Sequence, residues 1–133
     1  MRIRILLTLL VSLLLSGCSK SESEIDSITG MPKVFCGPIL EAMTSANNEF
    51  EQFIKLRNSV EDVGKAYFEV ANTVELAKPL SSGLASKWLS EVNEVSKWFL
   101  NLYVASEEID IEDLPKMASD WKYQFSRKEL FCG

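Results

Sequence analysis

The stretch Pro38–Pro79, PILEAMTSANNEFEQFIKLRNSVEDVGKAYFEVANTVELAKP, decides how this chain folds. Ile39, Met43, Ala46, Phe50 and Phe53 recur at spacings of four, three, four and three. That is one apolar stripe at the period of an α-helix, and Pro38 suits its first turn. The same phase returns at Val60, Tyr67, Ala71 and Val74, but the seam positions between are Arg57 and Gly64. The stretch is therefore one long helix with a weak middle, or two helices broken near Asn58-Ser59. Ser59 followed three residues later by Asp62 is a helix-start pattern. Arg57 and Gly64 read best as a break with a solvated arginine; the sharper alternative is a groove where a small residue admits a partner segment.

Working outward, Pro79 closes this region and Ser81 or Ser82 can cap a further helix. Its stripe runs through Leu84, Trp88, Val92, Val95, Phe99 and Leu102. An acidic connection follows at 107–113. Asp113 and Pro115 then open a last helix with Leu114, Ala118, Trp121, Phe125 and Phe131. No segment alternates with period two, so strands are not expected, and no solenoid repeat is present.

In the other direction the chain begins Met1-Arg2-Ile3-Arg4, then runs apolar from Ile5 to Leu15. A span needs roughly 20 apolar residues, so this run is too short to cross a bilayer. A basic start before a short apolar run has the form of a secretory signal. Directly after it stands Leu15-Ser16-Gly17-Cys18, which resembles the lipobox of bacterial lipoproteins over about the first 18 residues. The resemblance implies that Gly17–Cys18 is the cut bond and that Cys18 carries diacylglycerol and an N-acyl chain such as palmitate. Stable anchoring takes about two chains, which this modification supplies. Ser19, where an aspartate would favour retention in the inner membrane, points to the periplasmic face of the outer membrane.

The domain boundaries expected are a signal peptide at 1–17, a lipidated cysteine and flexible tether at 18–35, and a helical domain at 36–133. The tether begins polar, contains Gly30 and Pro32, and as a coil would span roughly 20–25 Å. With Cys18 assigned to lipid, Cys36 and Cys132 remain, and in an oxidising envelope they are expected to form a disulfide. An intermolecular bridge or two free thiols are the alternatives. A Cys36–Cys132 bond places both ends of the domain together, which an even number of up-down helices achieves. A single helix of about 40 residues would be about 60 Å long and could not be covered by the later helices. The fold expected is thus a small all-α bundle, four helices favoured over three, closed by one disulfide.

Cleavage removes Arg2 and Arg4 and no acid, leaving 12 basic and 19 acidic residues, a net charge of −7. That disfavours nucleic acid as a partner, and likewise electrostatic binding to anionic lipid. There is no histidine, so histidine-dependent nucleophile systems and imidazole zinc sites are excluded. Residues 107–113 lack the glycine and ligand spacing of a calcium loop, and no pair of carboxylates is predicted to face across a cleft. No catalytic residue, metal or dissociable cofactor is expected.

The run Trp98–Val104 is apolar around most of its helix. Leu100 and Val104 point well over 90° from the core stripe, and Trp98 lies at its edge. These three form the candidate partner surface. Trp121 and Tyr123, two apart, cannot both face the core, so one is expected at the rim. The function expected is a lipid-anchored envelope protein whose helical domain binds another protein, similar in general architecture to the pilotins that escort secretion-system subunits, without a matching motif. An immunity or exclusion lipoprotein, acting on a toxin or phage component, is the alternative.

Overall fold

The computed structural model describes residues 24–133. The expected signal peptide, the expected cut bond Gly17–Cys18, the expected lipid position Cys18 and the first part of the expected tether lie outside the described residues. Four long helices follow one another: α1 (Cys36–Ile54), α2 (Val60–Ala77), α3 (Gly83–Val104) and α4 (Leu114–Ser126). A last short turn, α5 (Lys128–Cys132), extends α4. The described residues contain no strand, only an isolated bridge between Ile25 and Pro32.

The long apolar stretch is two helices, broken where the pattern weakens. The Leu56 N–H donates to the Phe53 carbonyl (3.0 Å) and the Arg57 N–H to the Gln52 carbonyl (2.9 Å), with Leu56 at a φ of 58°. That is a Schellman closure of α1. Ser59 then starts α2 through a reciprocal capping box. Its hydroxyl accepts from the Asp62 N–H (3.3 Å), and the Asp62 carboxylate accepts from the Ser59 N–H (3.1 Å).

The short connections make successive helices antiparallel, and the fourth returns to the first. There the Cys36–Cys132 disulfide joins the two ends of the bundle, with Cα atoms 5.2 Å apart. The expected stripes form the core: Ile39, Met43, Ala46 and Phe50 from α1, Tyr67 and Val74 from α2, Trp88, Val92 and Phe99 from α3, Trp121 from α4. Tyr67 stacks on Phe99 at 4.5 Å and meets Trp121 edge-on at 4.8 Å. Both buried indoles find acceptors: Trp88 donates to the Gln124 carbonyl and Trp121 to Asn47 Oδ1. Tyr123 is the exposed member of the Trp121/Tyr123 pair.

Two expectations are corrected. Leu84, placed on the α3 stripe, is 60 % exposed, and Ala85 takes the core position instead. Ala85 lies on the face of Trp88, Leu89 and Val92, and it donates its N–H to the Thr29 carbonyl of the chain before α1.

That same chain corrects the tether. Residues 24–35 are folded. The Asp26 carboxylate accepts from the N–H groups of Ile28 and Thr29, closing a turn. Met31 is fully buried, and the Gly30 carbonyl accepts from the Ser82 N–H. Gly30 has a φ of 79°, and a Cβ there would overlap the Ser82 carbonyl. The domain thus begins by residue 24, not at 36, because Met31 has apolar surface to bury at the open end of the bundle. No helix among the described residues is long and apolar enough to cross a membrane.

Candidate functional site

The capping box sets where α2 begins, and so sets Gly64 against α3. A Cβ on Gly64 would lie 2.6 Å from the Cβ of Tyr103. No two such atoms approach so closely, so a glycine is required at this crossing. The close approach pushes the Tyr103 ring outward, and an open groove of about 550 Å³ lies beside it. Its apolar lining comes from Phe68 on α2 and from Leu100, Tyr103 and Val104 on α3. Phe68 is half exposed and Val104 is 61 % exposed.

Three carboxylates, Glu49, Asp62 and Glu69, border this lining against one ammonium, Lys65. Lys65 is itself paired with Glu61 at 2.8 Å. Hydrogen bonds from Ser59 hold the Asp62 carboxyl below the usual carboxylate range, so it is charged at neutral pH. Asn58 donates to both the carbonyl and the carboxylate of Glu49 (2.8 and 2.6 Å), fixing the α1–α2 connection beside the groove. The groove thus has an apolar floor, an acidic border and rigid walls.

Of the expected surface residues, Leu100 and Val104 meet in this groove and Trp98 does not. Two residues along a helix is a turn of about 200°, so Trp98 lies across α3 from Leu100. It is half-buried against the core. The reading of Gly64 as part of a solvated break is replaced by its role at the helix crossing, while Arg57 does sit, exposed, in the break. Phe68, Tyr103, Glu49 and Glu69 were not singled out from the sequence. Two signals were legible: Phe68 is an aromatic off the α2 stripe, and Tyr103 lies within the apolar Trp98–Val104 run.

A second cleft, of about 540 Å³, lies between α3 and α4 and is polar. There Glu91 accepts from Gln124 Nε2 at 3.0 Å and pairs with Arg127 at 3.6 Å, while Arg127 lies over the Tyr123 ring. Its acids are matched by cations, so no carboxylate pair stands alone for acid–base work. Among the described residues no group of three or more cysteines or carboxylates is placed to hold a metal ion.

The fold and groove define a disulfide-closed four-helix domain with an apolar, acid-bordered recess at the α2–α3 crossing. Comparison with family models, curated proteins and solved structures finds no match to this chain.

Proposed function

We propose that this chain is a lipoprotein, anchored through acyl chains on Cys18, whose helical domain holds another envelope protein in the Gly64–Tyr103 groove. The localisation proposed is the periplasmic face of the outer membrane. The role proposed is that of an assembly or escort factor with no chemistry of its own. The observation that carries the reading is the groove: exposed aromatic and aliphatic side chains brought together on a rigid frame and bordered by acids. Contiguous apolar surface rimmed by charge is the usual form of a protein-binding site. Its border selects a segment with apolar side chains flanked by lysine or arginine, since three carboxylates face one already paired ammonium.

The test is site-specific photocrosslinking in intact cells. A photoreactive residue at Tyr103 is expected to capture one discrete envelope protein, and Val104→Asp is expected to abolish that adduct. The same probe at Tyr123, on the opposite side, should capture none. An identical adduct pattern from both positions, or survival of the Tyr103 adduct in Val104→Asp, overturns the groove as the binding site. Labelling with an alkyne fatty acid, lost in Cys18→Ala, tests the anchor.

A further inference from the structure

The end of the bundle that carries residues 24–35 has a second apolar surface, separate from the groove. The Thr29 carbonyl accepts from the Ala85 N–H at 2.8 Å and the Gly30 carbonyl from the Ser82 N–H at 3.1 Å. These bonds set the turn containing Ile28 beside Leu84 and the α2–α3 connection containing Leu80. Ile28 is 85 % exposed, and Leu80 and Leu84 are each more than half exposed. Ile25, Val34 and Leu130 are exposed on the same end, the last brought there by the Cys36–Cys132 bond. Lys33, Lys78 and Lys128 stand at this end with Glu24, Asp26 and Glu129, so its charges balance.

The opposite end differs in charge. Its 105–113 connection holds Glu107, Glu108, Asp110, Glu112 and Asp113, against Lys55 and Arg57 in the α1–α2 connection, so this end is net acidic. Anionic lipid repels that end, while lysines beside aliphatic side chains suit an interface of headgroups and acyl chains.

Chain length decides which end faces the membrane. Six Cα steps separate Cys18 from Glu24 and span at most about 22 Å. Helix α3 has 22 residues and is about 33 Å long. The leash is shorter than the bundle, so an inverted bundle, with its acidic end on the lipid, is out of reach. We propose that the surface around Ile28, Leu80 and Leu84 docks on the lipid bilayer, so that the domain stands on the membrane with the acidic connections turned away. The proposal rests on the reading of Cys18 as the lipid anchor.

The test uses the full lipidated chain in vesicles of phosphatidylethanolamine and phosphatidylglycerol, with benzoylphenylalanine at Ile28, Leu84, Leu56 or Ile111. All four positions are exposed, so the fold does not depend on them. Phospholipid adducts are expected at Ile28 and Leu84, with loss of the adduct at Leu56 and Ile111. Equal lipid adducts at all four positions, or adducts from Ile28 and Leu84 only to a second copy of the chain, overturn the docking face. The intact mass of the same samples separates the two readings. A chain without acyl mass on Cys18 sinks the anchor and the docking face together. An acylated chain without lipid adducts at Ile28 and Leu84 sinks the docking face alone.

Discussion

Leu56 occupies the left-handed region that the closing turn of α1 requires, and its side chain is 90 % exposed. A β-carbon in that region costs about 1–2 kcal/mol, and here no packing offsets it. Glycine is the residue most often found at this position of a Schellman closure. Leu56→Gly is therefore expected to stabilise the domain by about 1 kcal/mol, less what glycine gains in the unfolded chain. Urea unfolding monitored by circular dichroism checks this; an unchanged or lower midpoint would refute it. A sequence reading does not find this position, because leucine carries no signal for a positive φ. It locates the break from the Ser59-Asp62 pattern, which begins three residues on.

At the scale of single helices, the start of α2 fixes the groove. Ser59→Ala removes the side-chain acceptor of the capping box and should cost about 1 kcal/mol of stability. The lowered Asp62 value has a definite sign. Its contribution is present above the ordinary carboxylate range and is lost as pH falls through the lowered value. In Asp62→Asn the acid limb of the stability–pH curve should therefore be shallower than in the wild type. Gly64→Ala places a methyl against the Tyr103 β-carbon and must spread α2 from α3. It should cost about 1–3 kcal/mol despite the better helix propensity of alanine, and it should weaken the Tyr103 crosslink as well. The apolar period gave away which faces of these helices are buried, because burial of a face at helical spacing is a local property. What depends on another segment stayed hidden. Ala85, whose N–H reaches the Thr29 carbonyl, is buried where Leu84 is exposed. Residues 24–35 read as a leash because one buried methionine among turn residues has no period. Leu100 and Val104 were legible as an apolar surplus. Phe68, their neighbour across the helix crossing, becomes part of the same surface only once Gly64 and Tyr103 are in contact.

For the molecule as a whole, the disulfide spans 96 positions and closes nearly all of the described chain. A loop of that length is worth about 4–5 kcal/mol in the chain-entropy account. Unfolding in urea with and without a thiol reductant should show a lower midpoint on reduction by an amount of that order. A change below about 1 kcal/mol would place the stability in the helical core alone. The bond also joins the first residue of α1 to the last of α5, so the four helices form a covalent ring. A ring tolerates one cut. A protease that nicks the exposed 105–113 connection leaves two pieces still tethered through Cys36 and Cys132, with α1 to α3 and α4 able to stay packed. The nicked protein should run as one species until a reductant is added and as two thereafter. Where a protease reaches it, the domain thereby survives a first cleavage that would dismantle an open chain.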